Sequence, residues 1–345
     1  MKILGIESSC DETAASIVED GNSILSNVVV SQIDIHAAYG GVIPEIAARS
    51  HIEAILPVIH QSLTDANCDY QDLDAIAVTH TPGLVGSLLM GTLAARTVSI
   101  IQNIPFYPTH HLKSHIYANW LSGYQPTFPI LALVVSGGHT QIIYMKQHDD
   151  FHIIGTTHDD AIGEVFDKVA KILGLPYPGG PAIAAAALNG DPTKYALPIP
   201  KVAGLDFSFS GLKTAVLRAI QKDLGLPISA PSYTLKDQLT QTQIQDFAAS
   251  FQATAVKILI RKLQAAVKEY DAKSILIAGG VSANAMLRTE LTKNFGRTHA
   301  VFFPELKYST DNGAMVASAA YYSIQAGEQP SDPYKLDISP RSVIC

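Results

Sequence analysis

The sequence predicts an α/β protein of two duplicated lobes, each a mixed sheet covered by helices, with a cleft between them. Three observations carry that prediction. At 345 residues the chain is long for a single core, so two lobes are the expected arrangement. The stretches "ILGIESSCDET" (3–13) and "ILALVVSGGHT" (130–140) align at a constant offset of 127 residues, with Ile, Leu, Ser and Thr recurring at matching places. The alignment runs on without a gap, "AASIVEDGNSIL" (14–25) over "QIIYMKQHDDFH" (141–152), so the order of elements repeats along with the residues.

In each copy an apolar strand meets a turn of small and polar residues, and a Thr opens a second strand. A tight turn, Asp20-Gly21-Asn22 or His148-Asp149-Asp150, then leads to a third strand. After the first meander Pro44 opens a helix over about 44–66, because proline suits the first helical turn. The strand "LDAIAVTH", a helix through 85–101, the strand "PFYPTH" and a helix over 111–121 follow. After the second meander come a helix at about 160–173, a polar insertion from about 192 to 240 and a long helix at 243–269. The strand "SILIAGG", a helix at 283–294, the strand "AVFFPE" and a helix at 312–326 complete the pattern. On this pattern 1–122 with 310–345 forms an N-terminal lobe and 123–309 a C-terminal one, and the tail 327–345 reads as a loose end.

Composition narrows the function. A net charge of -7 argues against broad non-specific nucleic-acid binding and leaves such contact to a local patch or a partner. The short basic groups, Lys213 with Arg218 and Lys222, and Arg261 with Lys262, read as solvated helix faces. Cys10, Cys68 and Cys345 are too few and too dispersed for a disulfide framework, which fits a reducing compartment. The N-terminus has no apolar leader, and no apolar run approaches the roughly 18 residues of a membrane span. A cytoplasmic protein without membrane contact is expected.

Chemistry concentrates in a few places. In "THHLKSH", His111 and His115 stand one helical turn apart and can share a metal, although such a pair also arises by chance and two imidazoles are an incomplete site. His110 is adjacent to His111 and points away on a helix, so it reads as a non-ligand. "VSGGHT" sits at the duplicated strand end, where backbone N–H groups can face a phosphate. Asp167 reads as a helix carboxylate paired with Lys168 or Lys171, or as a ligand contact. Gly180 reads as a turn glycine, and Asn284 as a first-turn residue.

The duplicated architecture resembles the actin-like, sugar-kinase and chaperone-ATPase (ASKHA) fold of two ribonuclease-H-like lobes. In that fold the turn after the first strand of each lobe cups phosphates and a later Gly-Gly turn holds adenosine. Here those turns would be "ESSCDET" (7–13), "VSGGHT" (135–140) and "IAGGVSAN" (277–284). The stretch "HAAYGGVIPEIAARSH" (36–51) narrows the resemblance, together with "GIESSCDET", "THHLKSH", "LVVSGGHTQ", "DDAIGEVFDKVAKILGLPYPGGP" and "STDNGAMVA". In this order, from Met1 to about Ala326, they resemble the TsaD family of tRNA threonylcarbamoyladenosine transferases, formerly described as O-sialoglycoprotein endopeptidases.

The resemblance implies transfer of a threonylcarbamoyl group from threonylcarbamoyl-AMP to N6 of adenosine 37, in tRNAs reading codons that begin with A. It names Asp311 as third ligand beside His111 and His115 for one divalent ion per subunit. The family implies Fe(II), and the ligand types also suit zinc or manganese. Val134, Val135, Ser136, Gly137, Gly138, Asp167, Gly180 and Asn284 would contact the nucleotide or adenylate. Some relatives carry a carboxylate where this chain has Ala184. Asp11 stands where the fold often has a catalytic carboxylate, and the catalytic residues are otherwise unassigned. His36, Tyr39 and His51 are exposed-loop or cleft candidates. The partners implied are tRNA, a smaller metal-free relative of the same fold and a P-loop ATPase.

Two other functions compete. A metalloprotease acting on glycoproteins would need an acid between the helical histidines, where Leu112, Lys113 and Ser114 stand, and an export signal. An ATP-dependent small-molecule kinase of the same fold would not require His111 and His115.

Overall fold

The computed structural model describes residues 1–335 and 338–344. The first lobe contains β1 (Lys2–Glu7), β2 (Glu12–Glu19), β3 (Ser23–Ser31), a short α1 (Ile33–Ala37), α2 (Pro44–Asp65), β4 (Ala75–Thr81), α3 (Val85–Gln102), β5 (Phe106–His110) and α4 (His111–Tyr117). The second contains β6 (Ile130–Val135), β7 (Thr140–Met145), β8 (Phe151–Thr156), α5 (Ile162–Ile172), α6 (Gly179–Ala187), α7 (Ser210–Asp223), α8 (Gln241–Glu269), β9 (Ser274–Ala278), α9 (Ala285–Phe295), β10 (Ala300–Phe302) and α10 (Gly313–Gln325).

One sheet runs β3-β2-β1-β4-β5 and the other β8-β7-β6-β9-β10. In each, the hairpin strands pair antiparallel and the last two strands join parallel, so order and sense both repeat. β1 and β6 are central and covered on both faces, which is why they read as near-continuous apolar runs rather than alternating ones. In the first hairpin Asp20 and Gly21 both adopt positive φ, 50° and 74°, the twist that a tight antiparallel turn needs.

The helix that closes each lobe packs on the other lobe's side. Leu112, Ile116 and Tyr117 of α4 bury against Ile130, Ala132 and Val134 of β6 and Leu276 and Ala278 of β9. Ala314, Met315 and Ala317 of α10 bury against Ile3 of β1 and Ala75 and Ala77 of β4. α10 can reach β1 because both partners are glycine at the contact: a Cβ on Gly5 would lie 2.2 Å from the Gly313 carbonyl oxygen.

Several elements differ from expectation. α4 ends at Tyr117, because Asn119 Nδ2 donates to the Ile116 carbonyl (3.1 Å) and turns the chain. α6 was not foreseen, and the polar insertion contains α7, whose Leu212, Val216 and Ile220 join the second lobe's core. α3 is by length and composition apolar enough to cross a membrane, with mean hydropathy 1.2 over 18 residues, one third of them buried. Its apolar residues are interleaved with Gly, Ser and Thr, so no continuous run announces it. The tail is pinned rather than loose: Ser331 N–H donates to Phe106 O (2.8 Å), Ser339 N–H to His80 O (3.2 Å), and Ile344 is buried beside α4. Cys10 and Cys68 are free thiols, and Cys345 lies outside the described residues.

Candidate metal and nucleotide site

β5 leads directly into α4. His110 caps that helix, its Nδ1 accepting the Leu112 N–H at 3.2 Å, which occupies it as a cap. His111 and His115 then rise on successive turns with their rings edge to face, centroids 4.5 Å apart. Asp311 immediately precedes Asn312, whose side chain caps α10 by accepting the Met315 N–H at 2.9 Å. Its Oδ1 lies 3.1 Å from His115 Nε2 and 3.7 Å from His111 Nε2. The three side chains offer donor atoms that all lie within 4.8 Å of one another, so the trio meets at the crossing of the two exchanged helices.

Electrostatics favour a cation there. Burial pushes the Asp311 carboxyl up, but His111 and His115 outweigh it and hold it down to about 2. Burial works against a charge on His111 as well, yet Asp311 and Glu7 push it up to about 9. The pocket therefore draws one positive charge, a proton on His111 when nothing else is bound. Two imidazoles and a carboxylate with open positions suit a first-row divalent ion, so the donor set fits.

The turn after β6 lies beside this trio. Ser136 N–H donates to His139 O (2.9 Å) and His139 N–H to Ser136 Oγ (3.1 Å), which closes the turn. Gly137 and Gly138 stand exposed, and a Cβ on either would meet nothing within 4 Å. Burial, with the charges of His111 and His115, pushes His139 down to about 4, so the histidine of this turn feels the charge of the trio. Val134 and Val135 are wholly buried in strand β6, where both pair with β7 and Val134 also with β9.

The remaining candidates line up less simply. Lys168 pairs with Asp160 (2.7 Å) and Glu164 (2.9 Å), not with Asp167. Asp167 instead accepts the Gly179 N–H at 2.7 Å, and burial raises its carboxyl above the usual range. Gly179 is pressed against Asp167, while its neighbour Gly180 faces open space, which leaves the α5–α6 corner accessible at Gly180. Asn284 caps α9, accepting the Leu287 N–H (3.0 Å) and donating to Gln252 Oε1 (2.8 Å), so both ends of its amide are engaged.

The first lobe's turn, expected to cup a phosphate, is sealed. Ser8 Oγ donates to Ser87 O (2.8 Å), Leu84 N–H donates to Ser9 O (2.8 Å), and α3 fills the space. Gly83 and Gly91 allow that approach: a Cβ on Gly91 would stand 2.3 Å from Ser8 Oγ. Asp11 and Glu12 stay half-buried at the end of this turn. Burial, then Asp311 and Asp11, push the Glu12 carboxyl well up. Burial pushes the Tyr177 phenol up too, with Asp11 of one lobe and Asp167 of the other adding to it.

His36 and His51 prove to be fully buried, not loop or cleft groups. His51 bridges Thr13 Oγ1 (2.7 Å) and Cys10 O (3.0 Å), tying α2 to the first turn; Tyr39 alone of the three is exposed. Sequence reasoning passed over His139 and Glu7, the latter 3.1 Å from His111 Nδ1. The available signal for Glu7 was a charged residue ending a central apolar strand, where the second copy has Val134.

The family model described as tRNA N6-adenosine threonylcarbamoyltransferase, TsaD, matches residues 23–318. A relative of that name from Caldicellulosiruptor bescii is 48% identical over 328 residues, covering 95% of this chain and 94% of its own. Another from Bacillus subtilis is 46% identical over 333 residues, covering 95% and 92%. Among solved structures, HypF of T. kodakarensis has a TM-score of 0.62 at 13% identity, over 94% of this chain and 48% of its own. Component A of (R)-2-hydroxyglutaryl-CoA dehydratase from Acidaminococcus fermentans has a TM-score of 0.51 at 15% identity, over 94% and 99%. At such identities the solved structures show the fold alone, two lobes of the ASKHA type.

Proposed function

The chain belongs to the TsaD family of tRNA N6-adenosine threonylcarbamoyltransferases, and from that premise we propose that it moves the threonylcarbamoyl group of threonylcarbamoyl-AMP to N6 of adenosine 37 in tRNAs reading codons that begin with A. The observation that carries this is the meeting of His111, His115 and Asp311 beside the bare Gly137-Gly138 turn. N6 of adenine is a weak nucleophile, so the protein's main task is to orient the donor and exclude other acceptors. The exposed Gly137-Gly138 turn leaves space beside its backbone that suits the adenylate phosphate, while Gly180 leaves room for the nucleoside between α5 and α6. Asp11 borders the same cleft.

His111, His115 and Asp311 hold one divalent ion in this reading, Fe(II) by family, with zinc or manganese compatible. When bound, such an ion supplies Lewis-acid polarisation of an acyl or phosphoryl oxygen. A protease reading gains nothing: Asp311 is itself taken up as a ligand, and the other carboxylate in contact with His111, Glu7, sits behind the ring at Nδ1 rather than on the open side. A kinase reading leaves the trio without a task.

With a net charge of -7, tRNA is held on a surface shared with partners, which we take to be a smaller metal-free relative of the same fold and a P-loop ATPase, in the cytoplasm. Two of the basic groups on this chain are spent internally: Arg218 donates to Ile228 O (2.7 Å) and Lys262 to Val202 O (2.9 Å). Ile52 and Leu56 of α2, with Val85, Leu89 and Leu93 of α3, form an exposed apolar stripe, and we assign it to the smaller relative. The deciding experiment is His111→Ala in the full complex. Bound metal and threonylcarbamoyladenosine formation are expected to vanish together, and full transfer by a metal-free variant would refute the reading.

A further inference from the structure

We propose that Glu7 is a positioning residue for the metal centre: its carboxylate grips the rear nitrogen of His111 and fixes the ring with the opposite nitrogen aimed at the ion. This rests on the metal reading above and adds to it the group that orients the site.

Glu7 ends β1 and is 0% exposed. A carboxylate so buried is costly unless every oxygen is occupied, and here each is. Oε1 accepts the Ser9 N–H at 2.6 Å; Oε2 accepts the Thr79 hydroxyl at 2.6 Å and lies 3.1 Å from His111 Nδ1. Thr79 stands on β4, the parallel neighbour of β1, so two central strands build the grip before α4 arrives.

The two ligating imidazoles are not held alike. His115 Nδ1 is buried without a hydrogen-bond partner, so the fixed orientation belongs to His111 alone. The duplication isolates the feature further. At the matching position of the second copy stands Val134, buried in the core, and that copy keeps its turn open. The carboxylate thus belongs only to the lobe whose strand leads into the metal helix. A carboxylate behind a ligating imidazole sets its tautomer and raises its basicity, and losing one costs roughly 10–100-fold in metal affinity.

The test uses full-length protein and Co(II) as probe, reading the dissociation constant and the visible ligand-field band at one pH. Loss of the band in His115→Ala marks it as this site. Glu7→Gln is expected to weaken Co(II) binding by roughly 10–100-fold and to shift the band. Thr79→Val, which leaves Glu7 in place but removes its hydroxyl donor, is expected to weaken binding by less, and Thr79→Ser to match the parent. A folded Glu7→Gln protein with the parent's affinity and band overturns the proposal, even if its melting temperature falls. Should Glu7→Gln fail to fold, a Thr79→Val protein indistinguishable from the parent in both readouts overturns it instead. A parent protein that takes up no Co(II) overturns the metal reading itself, and this proposal with it.

Discussion

Gly138 and Gly163 stand on and beneath the same turn, and a methyl group on each has opposite consequences. A Cβ on Gly163 would lie 2.6 Å from Ser136 O and 2.8 Å from Gly137 Cα, so Gly163→Ala is expected to destabilise the fold by about 1–3 kcal/mol in denaturant titration. A Cβ on Gly138 meets nothing within 4 Å, so Gly138→Ala should melt like the parent while raising the KM for threonylcarbamoyl-AMP by roughly tenfold. His111 gives a pH prediction with a definite sign. Its ordinary value of 6.5 is raised to about 9 in the folded, metal-free protein, so its proton stabilises the fold fully below pH 6.5 and that contribution fades as pH rises through 9. Melting temperatures of metal-free protein should therefore decline across that window and level out with a divalent ion present, whose uptake releases a proton. The histidine pair was legible because i and i+4 share a helix face, whatever the fold. Glu7 was not, since its partner His111 lies 104 residues away in sequence and only the parallel sheet unites them. Burial likewise decided against His36 and His51, because neither the Gly-Gly bend after His36 nor the helix that carries His51 gives a sign that these rings are enclosed.

At the scale of elements, the tail yields the clearest prediction. Ile344 is 3% exposed against α4, and the described residues before it are held from Ser331 and Ser339 to β5 and β4, by the Gly83 N–H on Pro340 O and by Arg96 on Pro333 O. Ile344→Asp should lift it, so limited proteolysis is expected to cut within 331–344 where the parent resists, with a loss of about 1.5–3 kcal/mol in stability. Hairpins, central strands and long helices were readable because alternation, apolar runs and Pro44 act locally. α6 was not, because its opening "GGP" spells a turn, and the helix forms only when Gly179 packs on Asp167. α7 was hidden by its charges, although Leu212, Val216 and Ile220 recur at helical spacing. The sealed first turn was illegible for a different reason: its letters match an open one, and α3 closes it from a distance.

At the scale of the molecule, each lobe is completed by a helix resting on the other's sheet, so neither has a finished core alone. Calorimetry should show one cooperative transition, and residues 1–110 expressed alone should not fold; two separated transitions would contradict this. The apolar stripe on α2 and α3 lies outside that core. Leu56→Asp, at a position 64% exposed, is expected to leave the melting temperature nearly unchanged while abolishing co-elution with the smaller relative we propose as its partner. The crossing of α4 and α10 has one more consequence. His111 and His115 ride on one arm and Asp311 at the root of the other, so the three grip the molecule as a pin grips a pair of scissors. An ion seated there would fasten the two arms at their crossing, so its removal is expected to raise hydrogen exchange along α4 and the start of α10 more than in the sheets that carry them.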